Sequence, residues 1–89
     1  MEITLVQSVI YDDGFTTLRK TINSDFVPRQ GDFITDPAFE DDHEVGEVHV
    51  DLESHSCEVF LKALNLDAGH IEATKIIESK YGLYYWFRS

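Results

Sequence analysis

The chain has 89 residues and a formal net charge of −10. That length makes one domain, residues 1–89, with no room for a second core. The lack of a long apolar run argues against a transmembrane helix, and the negative sign argues against direct nucleic-acid binding or an anionic membrane surface as partner.

Residues 2–11 are rich in Ile, Val, Leu and Thr and read as a strand; with no basic start and no continuous apolar stretch, they do not read as a signal peptide, so the expected location is cytoplasmic. Asp13-Gly14 follows, a type I′ hairpin pair whose Gly tolerates positive φ, and residues 15–23 return. A two-residue loop there pairs Val9 with Leu18 and Leu5 with Ile22, placing apolar residues on one face. Asn23-Ser24-Asp25 is a break, and Pro28-Arg29-Gln30-Gly31 a turn in which Pro pre-sets φ and Gly closes. Residues 32–35 suit a short third strand. Residues 36–43, DPAFEDDH, read as a mobile loop.

Residues 44–52 and 57–64 make the clearest hairpin. A loop over Glu53–Ser56 sets Val48 against Leu61, Val50 against Val59 and Leu52 against Cys57, all inward. Glu47, His49 and Asp51 then point outward, with Glu47 opposite Lys62. Gly46 inside this pattern marks a bulge or a close backbone approach. Residues 68–81 carry Ala73, Ile76 and Ile77 at helical spacing, with Asp67 as N-cap and Gly82 at the left-handed position past the end. The closing LYYWFRS reads as a terminal aromatic strand with Leu83, Tyr85 and Phe87 buried on one face.

The expected fold is α+β and mostly β: a small curved antiparallel sheet or SH3-like barrel of about five to six strands, one helix over about 68–81, and a final aromatic strand.

Charge is the most informative feature of the composition. Residues 30–61 hold ten acids and no Lys or Arg, whereas residues 1–29 balance to −1 and residues 62–89 to +1. Within that block Glu40, Asp41, Asp42, Glu44, Glu47 and Asp51 are the candidate binding residues, expected to form one anionic patch for a basic protein partner. Inhibition of a nucleic-acid-binding protein by mimicry is one form such binding would take. The same stretch contains His43, His49 and His55, which suggest an alternative, a small metal-dependent enzyme or a metal or pH sensor. Yet no H-E-x-x-H, cysteine pair or EF-hand spacing is present, so no metal site and no cofactor is expected. A third reading makes the chain a structural subunit of a larger assembly, with the aromatic terminal strand at the interface.

Catalysis finds no motif. No serine stands in a G-x-S-x-G context, and the glycines stand singly rather than as a phosphate cradle. Cys57 near His55 could be a thiol beside its base, but the register points Cys57 inward, and nearby acids would raise its pKa. The expectation is therefore a non-enzymatic interaction protein.

Overall fold

The computed structural model describes residues 1–88. The alternating apolar residues near the start form the central strand, β1 (Glu2–Tyr11), which buries Ile3, Leu5, Gln7 and Val9 along one face. Each large apolar side chain so buried contributes about 1.5–3 kcal/mol. Six further strands complete the sheet: β2 (Gly14–Asn23), β3 (Phe33–Ile34), β4 (His43–Asp51), β5 (Ser56–Leu61), β6 (Leu64–Asn65) and β7 (Phe87–Arg88). The order is β3-β4-β5-β1-β2-β7, with β6 also paired to β1. The sheet curls into an open half-barrel, and one helical region near the C-terminus packs Ile77 and Tyr81 into its core. The mostly β fold expected from the sequence is thus observed. Most pairings are antiparallel, but β1 runs parallel to β5 and β6.

Both hairpins form, each in a register two residues away from the expected one. Tyr11 faces Gly14, Gln7 faces Leu18 and Ile3 faces Ile22, so the turn is Asp12-Asp13. Gly14 is a strand residue without positive φ. A Cβ there would lie 3.2 Å from Cε2 of Tyr11, so the glycine serves close packing against that ring rather than a left-handed turn. In the second hairpin Val48 faces Val59, His49 faces Glu58 and Val50 faces Cys57. Residues 52–55 form the turn, where the Asp51 carboxylate accepts the amides of Glu53 and Ser54 and His55 adopts a φ of 54°. Val50 and Leu52, expected inside, are exposed, because the tip of this hairpin extends beyond the core. The bulge anticipated at Gly46 is present between Val45 and Glu47.

The turn read at Pro28–Gly31 forms one residue later, over Arg29–Asp32: the Asp32 amide donates to the Arg29 carbonyl at 3.0 Å, Gly31 has a φ of 90°, and the Arg29 amide donates to Asp32 Oδ2 at 2.8 Å, so Pro28 precedes the turn rather than setting its φ. The helix, α1 (His70–Ile76), starts later than expected, with Gly69 at its cap and no capping bond from Asp67. The preceding segment is committed to the sheet: the Leu66 amide donates to the Ile10 carbonyl, and the Ala68 carbonyl accepts the Asp12 amide. A π-helical turn over Ile77–Tyr81 and a 3-10 turn over Gly82–Tyr84 extend α1. Gly82 is right-handed, with a φ of −59°, and the left-handed residue is Tyr85, with a φ of 66°. That reversal overturns the expected facing of the C-terminal strand. Leu83, Tyr85 and Phe87 are 71, 74 and 68% exposed, whereas Trp86 is 3% exposed and lies in the core. Among the described residues of this segment only Phe87 and Arg88 pair, with Arg19 and Leu18 of β2.

Candidate functional site

The loop joining β3 to β4 is pinned at its start, contrary to its reading as a mobile segment. Asp36 and Ala38 are buried. The Asp36 carboxylate accepts from Lys20 Nζ at 2.6 Å, from the Ala38 amide at 3.0 Å and from Trp86 Nε1 at 3.1 Å. Burial opposes its charge, but these donors outweigh it and hold the carboxyl below its usual value. Sequence reasoning treated Asp36 as one more acid of the block. Its three partners are separated from it by different distances along the chain, so no local pattern marks it.

Gln7 is the second feature that sequence reasoning missed. It is fully buried at an inward position between Leu5 and Val9. The pairing of β1 is interrupted there, running from Val6↔Phe60 to Val9↔Leu64. The Gln7 amide fills the gap, donating through Nε2 to the carbonyls of Ser8 and Lys62, both at 2.9 Å. Its Oε1 lies 2.6 Å from Nδ1 of His43. With both amide hydrogens committed to carbonyls, Oε1 can only accept, so His43 carries its proton on Nδ1 and leaves Nε2 as a bare acceptor. His43 also stacks on Phe39, with ring centroids 3.7 Å apart and planes 8° apart. Burial lowers the His43 pKa from the usual 6.5, against the opposing charges of Asp41, Asp36 and Asp42.

His43 lines a cleft of about 410 Å³, a volume in the range of small-ligand pockets. One wall is the loop, with Phe39, Glu40, Asp41 and Asp42; the other is apolar, from Leu64, Leu66 and Ile76. Lys80 and Tyr81 close it from the π-helical turn. Tyr81 is 3% exposed. Among the described residues its hydroxyl has no hydrogen-bond partner, and no unsatisfied buried polar atom is sealed inside the protein. The hydroxyl is therefore not sealed in, and Tyr81 lines the cleft. Burial, with the charges of Asp36 and Glu40, raises its pKa to about 12, so it is a neutral donor and acceptor.

The structure divides the acidic block. Four cations from outside it reach in: Arg19 pairs with Glu58 at 2.9 Å, Lys20 with Asp36 at 2.6 Å, Lys62 with Glu44 at 2.5 Å, and Lys80 with Glu40. Lys62 thus meets Glu44 rather than Glu47, as the shifted register requires. Of the ten acids in residues 30–61, four are paired with Lys or Arg and, among the described residues, six are not: Asp32, Asp41, Asp42, Glu47, Asp51 and Glu53. Asp42 accepts the Thr35 hydroxyl at 2.8 Å. Glu40 and Glu44 belong to neutralised pairs, and the patch expected from sequence is interrupted by Lys80 and Lys62.

The bulge at Gly46 also separates the histidines. One inserted residue reverses the alternation, so His43 shares the inward side with Val45, while His49 joins Glu47 and Asp51 on the outer face. His49 Nε2 lies 3.0 Å from Glu47, and its ring packs against Phe60. His55 is in the hairpin turn. Among the described residues, no three His, Cys, Asp or Glu side chains converge as a metal cluster would. Cys57 is buried in the core, as its register position implied, and burial raises its thiol pKa. No described helix is long and apolar enough to cross a membrane. In comparisons with known proteins, no family model, no curated protein and no solved structure matches this chain.

Proposed function

We propose that this chain is a non-enzymatic interaction protein whose carboxylates engage a basic protein surface, with occlusion of a nucleic-acid-handling partner as the form that suits the charge. One observation carries the reading: after every cross-chain ion pair of the acidic block is made, six of its carboxylates remain without a Lys or Arg. Glu47, Asp51 and Glu53 lie along the exposed second hairpin, and Asp41 and Asp42 at the mouth of the cleft. Unpaired, solvated carboxylates accelerate encounter with a cationic partner, and salt screens them over about 8 Å at physiological strength. The test is capture from native lysate at low and high salt, by the natural chain and by an Asp41→Asn, Asp42→Asn, Glu47→Gln, Asp51→Asn variant. Loss of a salt-sensitive partner by a variant with an unchanged melt supports the reading; equal capture by both chains overturns it.

A second reading has its own observation. Leu83, Tyr85 and Phe87 stand exposed beside the edge strand β7, which suits a subunit that docks through this end. Sedimentation over a range of concentrations tests self-association by that route.

A further inference from the structure

We infer that the cleft between the 36–43 loop and the π-helical turn seats an arginine side chain of the basic partner, an assignment that rests on the reading above and names its anchor. Apart from Asn65, whose amide both donates and accepts, the uncommitted polar groups lining this cleft are matched to a ligand that only donates. Asp41 and Asp42 have no cationic partner among the described residues. In the neutral imidazole the Nε2 of His43 carries a lone pair, because the proton sits on Nδ1 against Gln7 Oε1. The hydroxyl of Tyr81, on a side chain almost wholly buried, has no partner among the described residues. The cation lining the cleft, Lys80, is already held by Glu40.

Guanidinium presents five N–H donors in a planar fork and no acceptor, so it can serve several acceptors at once. Its aliphatic stem has a wall to lie on, since Leu64, Leu66 and Ile76 are half-buried and line the same cleft. An anionic ligand would meet Asp41 and Asp42. A wholly apolar one would leave the Tyr81 hydroxyl and His43 Nε2 without water or partner, which is unfavourable. An ammonium group is compact and strongly hydrated, and it has three donors on one point, so it fits the dispersed acceptors less well. Buried arginines are also a recurrent source of binding energy at protein interfaces.

The test uses the full chain and defined probes. Acetyl-Gly-Arg-Gly-amide, its lysine and citrulline counterparts, and free L-arginine are titrated while the His43 imidazole and Tyr81 ring signals are followed by NMR. Saturable shifts at both residues are expected with the arginine peptide, about tenfold weaker with citrulline, which keeps the shape and loses the charge. Asp41→Asn with Asp42→Asn, and separately Tyr81→Phe, should each weaken binding several-fold. The comparison of peptides on the natural chain does not depend on how the variants fold. Equal affinity for arginine and citrulline peptides overturns the assignment, and tighter binding of free L-arginine than of the peptide overturns a protein side chain as its source. A hexa-arginine peptide run in parallel separates this inference from the broader one. Shifts confined to Glu47, Asp51 and Glu53 would sink the cleft and leave the basic-partner reading standing; no saturable shift anywhere would sink both.

Discussion

Trp86 donates its indole N–H to Oδ1 of Asp36, fifty residues earlier, and through that carboxylate is joined to Lys20 on β2. One buried charge thereby ties the first hairpin, the β3–β4 loop and the C-terminus together. Its ring also meets Tyr81 edge-on and Phe39 at a tilt, which fixes two walls of the cleft.

Trp86→Ala should therefore cost about 3–5 kcal/mol in urea melts, as for other large aromatic deletions in cores. Leu83→Ser and Phe87→Ser, at exposed positions, should change stability by no more than about 0.5 kcal/mol. Truncation after Gly82 should abolish the cooperative transition. A truncated chain that melts like the parent would show that this anchor is dispensable.

Acid should weaken the same junction. The Asp36 carboxyl is held below its usual 3.8 in the folded state, so its contribution is complete above the unfolded value and is lost as pH falls through the folded one. Asp36→Asn should be less stable near neutrality and should lose less on acidification below about pH 4. Parallel stability curves for the two chains down to strongly acid pH would contradict this.

The Gln7–His43 pair should behave as one unit. Gln7→Leu removes the side-chain partner of the His43 Nδ1–H and of the part-buried Ser8 and Lys62 carbonyls, at a cost of about 1–3 kcal/mol for each buried group left unsatisfied. In the natural chain the His43 midpoint should fall below 6.5, with the proton on Nδ1 by nitrogen NMR. Because the folded value is the lower one, stability should be complete above about pH 6.5 and decline as pH falls toward the folded midpoint. Gln7→Glu should move that midpoint upward by placing a carboxylate against the ring. A midpoint above 6.5 in the natural chain would refute the buried, neutral imidazole.

Two positions three residues apart, Gly82 and Tyr85, test the helix end. Gly82 is right-handed, and a Cβ there would meet nothing within 4 Å. Gly82→Ala should stabilise by about 0.4–1 kcal/mol, through the smaller freedom of the unfolded chain. Tyr85 holds the left-handed conformation, so Tyr85→Gly should relieve up to about 1 kcal/mol of strain. A destabilising Gly82→Ala would place the reversal at Gly82, as sequence spacing alone suggests.

Cys57 gives a probe of global opening. Its thiol is buried and its pKa raised by that burial, so modification by a disulfide reagent should be slow in the native state and fast in urea. Rapid modification without denaturant would mean that β5 opens locally.

What sequence alone determined is what has a short period or a local cause. Alternation along residues 2–11 and 44–52 assigned strands, the lone glycine at 46 marked a bulge, and Gly31 marked a turn to within one residue of its place. The same period hid the register. A slip of two residues leaves every side chain on its face, so the pattern could not distinguish Val9 opposite Leu18 from the observed Val9 opposite Thr16. The decision fell to the packing of Gly14 on Tyr11 and to the Gly46 bulge, which also sent His43 to the cleft and His49 to the outer face. The excess of acid in residues 30–61 was legible, but its partial neutralisation was not. Lys62 meets Glu44 across the second hairpin, Arg19 meets Glu58 39 residues away, and Lys80 meets Glu40 40 residues away, distances that only the folded chain closes. Gln7 carried one readable sign, a polar residue at an inward position, and only tertiary structure supplied the two carbonyls and the histidine that explain it. The cleft belongs wholly to that level, because its walls come from the β3–β4 loop, β6 and the helix, and no stretch of sequence contains all three.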